Sequence, residues 1–174
     1  MLDLIIKNGS CYIDKDLKDQ DIAIKDGKII KIGKIDNEAK EVFDAKGLTV
    51  LPGCIDTQTH FREPGSTDTE DLHSGSRAAI VGGITSVFEM PNTNPPTSTK
   101  VEFQKKLDLA KNRMYCNYAF YFGATADNAN ELADLVNLEG CCGIKLFAGS
   151  STGNLLVAEE EDIEKVFQSS SKVV

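Results

Sequence analysis

The sequence predicts an α/β fold: a small β module over residues 1–51, then a parallel sheet built from repeating β–α units over residues 52–174. Three observations carry this. Short apolar or alternating runs crowd the first fifty residues, with a hairpin signal among them. From Pro52 onward, apolar runs alternate with stretches of helical period. Polar and unusual residues then gather just after the expected strand ends: Gln58, His60 and Arg62; Asn92, Thr93 and Asn94; Thr125; and Gly149-Ser150-Ser151. Regular β–α repetition implies a parallel sheet, which an open doubly wound sheet or the first half of an eight-stranded barrel would satisfy. No G-x-G-x-x-G follows the first strand of this series and no Walker loop occurs. Polar residues at the strand ends are where a barrel builds its site.

The elements follow in order. Residues 2–6, 21–25 and 28–32 read as strands. Asp26-Gly27 between the last two is a two-residue hairpin signal, because both positions accept positive φ. Val42 and Phe43, then residues 48–51, read as further short strands. Residues 54–60 form the first strand of the parallel series. A helix over 69–81, with Leu72, Ala79 and Ile80 inward, ends at Gly82-Gly83. A strand over 84–90 precedes a helix over 99–111, where Thr99 and Glu102 match a capping box and Phe103, Leu107 and Ala110 share a face. Strand 114–123 leads to helix 127–138, with Ala129, Leu132, Ala133 and Val136 aligned. Strand 142–147 leads to helix 159–169, with Ile163, Val166 and Phe167 inward and an acidic first turn that suits the helix dipole. Residues 172–174 begin a fifth strand.

Bulk properties exclude several classes. The 174 residues suit one ordinary globular chain, 41% apolar and 26% charged. A net charge of −8 disfavours nucleic acid and anionic membrane surfaces, both of which reward excess Lys and Arg. No apolar run approaches the roughly 20 residues of a membrane helix. The five cysteines, Cys11, Cys54, Cys116, Cys141 and Cys142, form no C-x-x-C. They read as reduced, mostly buried thiols of a cytoplasmic protein, not as a disulfide or zinc framework.

The chemistry concentrates in Asp56-Thr57-Gln58-Thr59-His60-Phe61-Arg62-Glu63-Pro64-Gly65. A strand ending in His-x-His projects two imidazoles from one face, because side chains repeat every two residues, and such a pair can hold zinc. Here Gln58 takes the first position, and an amide oxygen is a weak neutral ligand. His73, beside Glu70 and Asp71, reads as a solvated helix residue. The Gly149-Ser150-Ser151-Thr152-Gly153 run reads as a flexible loop at the site, Glu159 to Asp162 as a solvated helix start, and Cys141-Cys142 as small buried groups.

Four blocks resemble the dihydroorotase branch of the cyclic amidohydrolases. They are Pro52-Gly53-Cys54-Ile55-Asp56 with Phe61-Arg62-Glu63-Pro64-Gly65; Gly75-Ser76-Arg77-Ala78-Ala79 through Gly82-Gly83-Ile84-Thr85-Ser86; Met90-Pro91-Asn92-Thr93-Asn94-Pro95-Pro96-Thr97; and Gly143-Ile144-Lys145-Leu146-Phe147. The resemblance implies the N-terminal half of a (β/α)8 TIM barrel preceded by a β-sandwich portion. Residues 1–51 would be the N-terminal share of a composite sandwich, and 52–174 the first four βα units of the barrel. It implies reversible hydrolysis of dihydroorotate to carbamoyl aspartate, a step of pyrimidine biosynthesis, at a centre holding two zinc ions. His60 and Lys145 would be metal-ligand positions, the lysine as a carbamate, with Gln58 a degenerate third. Arg62 would clamp the substrate carboxylate, with Asn92 a second donor to it.

Family enzymes are more than twice as long, and two later histidines and the aspartate that handles the proton would lie past Val174. The expectation is therefore no catalytic residue in this chain and no independent catalysis. It would be a part of a dihydroorotase, a non-catalytic scaffold or partner of aspartate transcarbamoylase, or the remnant of a split gene. Unclosed strand edges predict self-association.

Overall fold

The computed structural model describes residues 1–151 and 154–174, so Thr152 and Gly153 of the expected site loop lie outside the described residues. The chain divides into two compact units, Met1–Pro52 and Gly53–Val174. Among the described residues no helix is long and apolar enough to cross a membrane.

The first unit is one five-stranded sheet. Strands β1 (Leu2–Ile13), β2 (Asp16–Lys25), β3 (Lys28–Gly33) and β4 (Ala39–Asp44) lie in the order β3-β2-β1-β4, and β5 (Thr49–Val50) also pairs with β1. Asp26-Gly27 turns with φ of 50° and 70°, the hairpin geometry its sequence predicts. A second hairpin was not expected: Asp14 and Lys15 take φ of 53° and 67° between β1 and β2. Both strands are therefore longer than their apolar runs. A bulge interrupts β1 between Ile6 and Gly9, where Asn8 has φ 61°. Its amide donates to Asp44 Oδ1 (2.9 Å) and its backbone N–H to Asp21 Oδ1 (3.2 Å). The unit's core is thin: Ile5, Ala23 and Ile35, flanked by Leu2 and Ala39.

The second unit alternates β6 (Cys54–Thr59), α1 (Leu72–Val81), β7 (Ile84–Glu89), α2 (Lys100–Ala110), β8 (Asn117–Gly123), a 3₁₀ helix (Ala129–Asn137), β9 (Cys141–Lys145) and α3 (Glu160–Ser169). All neighbouring strands are parallel and follow the order β6-β7-β8-β9. A doubly wound sheet reverses its strand order at a switch point. Uninterrupted sequential order instead winds one way, as a barrel does, and this sheet is a parallel half-barrel. Residues 172–174 form no regular strand, but the Ile144 N–H donates to the Val173 carbonyl at 2.8 Å, so that segment lies along β9.

Local chemistry sets the helix starts. Asp71 caps α1 by accepting from Ser74 N (2.6 Å), and Ser74 Oγ returns to Asp71 N. The helix therefore begins at Leu72, three residues later than its periodicity suggested. Thr99 caps α2 by accepting from Glu102 N (3.1 Å). The core runs through Leu72, Val87, Phe103, Phe120, Phe122, Leu132, Leu135, Ile144 and Val166. Phe103 meets Phe120 edge to face at 6.3 Å.

Three helix faces differ from the expected ones. On α1 the buried residues are Leu72, Gly75 and Ser76, and Ile80 is exposed. On α3 Val166 is buried but Phe167 faces outward. Segment 129–137 winds as a 3₁₀ helix, burying Ala129, Leu132 and Leu135 and exposing Ala133 and Val136. A period of three stacks every third side chain, whereas a period of 3.6 would have turned Val136 inward. Leu135→Ala is therefore expected to cost about 2–5 kcal/mol in urea unfolding, and Val136→Ala under about 0.5 kcal/mol. The reverse ranking would restore the α-helical reading.

Candidate functional site

The carboxyl ends of four parallel strands share one edge, so loops leaving β6 and β7 emerge side by side. Gln58 is an exposed residue of β6 whose N–H donates to Asp56 Oδ1 (2.9 Å). His60, partly buried, follows the last strand residue. Its Nδ1 lies 2.9 Å from Oδ1 of Asn92, which follows β7. An amide oxygen only accepts, so this placement needs the proton on Nδ1 and leaves the lone pair on Nε2. A ring nitrogen anchored by a carbonyl-type oxygen is how metal-binding imidazoles are commonly held.

Arg62 is exposed and lines a cavity of about 370 Å³ with Pro64, Ser66, Asn92, Thr93, Asn94 and Pro96. The β6 and β7 loops are stitched together here. Asn94 N–H donates to the Pro64 carbonyl at 3.0 Å. Gly65 has φ +119°, and a Cβ there would sit 2.9 Å from the Asn94 Cβ, so both conformation and space call for glycine. On the other side Gly75 of α1 lets the Phe61 ring approach, since a Cβ would stand 2.5 Å from it.

Lys145 ends β9, half-buried, with Nζ 5.0 Å from the centre of the Phe147 ring. The expected residues thus fall into two groups. His60, Asn92 and Arg62 are brought together. Gln58 and Lys145 sit at the same sheet edge without a polar side-chain contact to them among the described residues. His73 is exposed and pairs with Tyr115 (Nε2 to hydroxyl, 3.3 Å), apart from the cavity.

The donors present do not by themselves fit a metal ion. Among the described residues no three His, Cys, Asp or Glu side chains cluster closely enough to hold one. One imidazole, one amide and one lysine side chain fall short of a tetrahedral set. The two adjacent thiols offer none either: burial pushes Cys142 up to about 12, far from a thiolate.

Sequence reasoning missed the polar groups beneath the loops. Glu89, the last residue of β7, is fully buried. Its Oε2 accepts from Phe61 N (2.9 Å) and Thr59 Oγ1 (3.1 Å). Fully buried Lys106 of α2 places Nζ 3.4 Å from Glu89 Oε1 and 3.0 Å from the Met90 carbonyl, 5.1 Å from the centre of the Phe120 ring. Burial pushes the Glu89 carboxyl up to about 7, against the pull of Lys106, and pushes Lys106 down. Glu63 is also buried: it grips Arg113 through both oxygens (2.7 and 3.0 Å) and accepts from Leu72 N (2.9 Å), fixing the loop that carries Arg62. The one available signal was a charge at a position where the pattern calls for an apolar residue, as at Lys106 between Phe103 and Ala110.

The amidohydrolase-family profile matches residues 49–172. A dihydroorotase of Methanosarcina mazei is 40% identical over 163 residues, covering 92% of this chain and 36% of that protein. An allantoinase of Escherichia coli O1:K1 is 41% identical over 149 residues, covering 85% of this chain and 33% of that one. The chain thus spans about a third of the length of these curated relatives. Among solved structures, the L-hydantoinase (dihydropyrimidinase) of Arthrobacter aurescens superposes with a TM-score of 0.88 at 31% identity, over 97% of this chain and 38% of that one.

Glu89 makes a pH prediction. A carboxyl near 7 when folded and near 4.5 otherwise binds more protons in the folded state, so its contribution to stability falls from about pH 4.5 to 7 and then levels. Glu89→Gln removes this fall. Between about pH 5 and 7.5 the variant should gain on the parent by about 1–3 kcal/mol, read from urea unfolding at each pH. A difference independent of pH would show that Glu89 ionises like an exposed carboxylate.

Proposed function

Because the chain belongs to the amidohydrolase family, we propose that its loops after β6 and β7 form the substrate-carboxylate side of a dihydroorotase-type site for cyclic amides. Arg62 and Asn92 lining one cavity, with Asn92 also tied to His60, is the observation that carries this reading. A guanidinium offers two parallel N–H donors to a carboxylate. The Asn92 amide, its oxygen engaged by His60, keeps its NH₂ group for the same anion. Dihydroorotate and carbamoyl aspartate carry such a carboxylate, whereas allantoin and unsubstituted hydantoin do not.

The family is generally metal-dependent. Zinc is the metal this reading implies, and His60 and Lys145 are the positions it would use, with Gln58 where an imidazole is expected. Among the described residues the donors do not complete such a set, so the reading assigns these loops recognition of the carboxylate. Its five free cysteines suit a reducing, cytoplasmic setting. Gln58 in place of an imidazole also favours a second reading, a non-catalytic partner of aspartate transcarbamoylase; co-purification with that enzyme would distinguish it.

Titration calorimetry of the purified chain tests the first reading. Carbamoyl aspartate and dihydroorotate should bind, and allantoin should not. Arg62→Lys should weaken carbamoyl aspartate binding by about tenfold, since one ammonium replaces a two-pronged fit. Equal affinity for allantoin, or indifference to Arg62→Lys, would overturn the carboxylate assignment. Stoichiometric zinc with turnover of dihydroorotate in the same preparation would overturn the expectation of no independent catalysis.

A further inference from the structure

We propose that Glu89 and Lys106 are positioning residues for His60. The proposal rests on reading His60 as a site residue, and it deepens that reading by naming what aims the ring. One carboxylate oxygen, Glu89 Oε2, accepts from Phe61 N–H at 2.9 Å and lies 3.1 Å from the Thr59 hydroxyl, whose one proton it shares with the Phe88 carbonyl at 3.2 Å, so it meets the residues on both sides of His60. Thr59 is held a second time through its carbonyl, which accepts from Met90 N–H at 2.9 Å. Lys106 closes the frame by donating to both Glu89 Oε1 (3.4 Å) and the Met90 carbonyl (3.0 Å). Between these ties His60 turns outward and meets Asn92 at 2.9 Å.

A structural role alone does not account for the chemistry chosen. Two well-packed apolar side chains of similar volume generally match or exceed the stability of a buried ion pair. They could not, however, accept the Phe61 N–H, whose position sets the main chain at His60, and would leave the Thr59 hydroxyl to the Phe88 carbonyl alone. Lys106 neutralises the acceptor without reaching solvent, and both groups have no exposed surface. The frame fixes the imidazole from its backbone, and Asn92 fixes it from its Nδ1 edge. Nε2 is left as the nitrogen free to meet a ligand.

The test reads the ring itself, in the full 174-residue chain, by long-range proton–nitrogen correlation spectra at about pH 8.5, where histidine is neutral. His60 should show the Nδ1-protonated tautomer as its major form. In Glu89→Leu/Lys106→Met that preference should collapse to the mixture of a histidine in an unstructured peptide, while the His73 signals stay unchanged. Glu89→Gln, which keeps an acceptor oxygen, should retain most of it. Thr59→Val, which removes one tie and leaves both ions in place, should lower it partially and covers the case in which the double variant does not fold. An unchanged His60 tautomer in Thr59→Val and in the folded double variant would overturn the proposal, as would an Nε2-protonated ring in the parent. None of these spectra needs substrate or metal. A failed carbamoyl aspartate titration with a responsive His60 would therefore sink the carboxylate reading and leave the positioning role standing.

Discussion

A carboxylate with no exposed surface organises the second unit. Removing an ion from water costs several kcal/mol even after relaxation, and the cost is recovered only where partners saturate its lone pairs. Glu89 meets that condition in part, with a backbone N–H, a hydroxyl and an ammonium, and burial still holds its carboxyl up to about 7. These partners come from the exit of β6 and from the middle of α2, while the carboxylate itself ends β7. Two strands and one helix are thereby tied together through one buried side chain. The loops that line the cavity leave from these same two strands. Their relative placement is set by the frame beneath them together with the direct bond from Asn94 N–H to the Pro64 carbonyl.

Much of this was legible in the sequence, for reasons that can be named. A parallel sheet covered by helices demands apolar runs alternating with amphipathic ones, and that rhythm survives in every unit from β6 to α3. Asp26-Gly27 announced a hairpin because glycine at a turn has few other uses. Asp14-Lys15 adopts the same backbone without glycine or asparagine, and its only local signal is a short charged run with aspartate at a turn position. The 3₁₀ segment was misread because periods of 3.0 and 3.6 agree at Ala129 and Leu132. They part at Ala133, midway along the segment, and again at Leu135 against Val136.

At the site the division is sharper. His60, Arg62 and Asn92 stand in recognisable blocks, so their positions could be named in advance. The bond between His60 and Asn92 could not, since it spans 32 residues and depends on two strand exits meeting. Asn92 was expected to serve an anion, and the structure gives it a histidine as well. Glu89 and Lys106 were invisible for a different reason. Glu89 is a single charge within an apolar run, Lys106 is one charge among several on its helix, and each makes sense only once the other, 17 residues away, is seen against it.

The dual engagement of Asn92 has a consequence for how the site would work under the carboxylate reading. An amide is planar, so its oxygen and its NH₂ group cannot be aimed independently. Turning the group to improve a bond to an anion in the cavity moves the oxygen relative to Nδ1 of His60. Ligand geometry and imidazole orientation are therefore coupled through one rigid plane. The coupling favours an anion whose best position coincides with the orientation that the frame at Thr59 and Phe61 already imposes on His60. Under that reading Arg62 would attract carboxylates of any shape, because a guanidinium on an exposed side chain adapts to many. Discrimination among them would then fall to Asn92, the donor whose position is fixed from behind by a histidine.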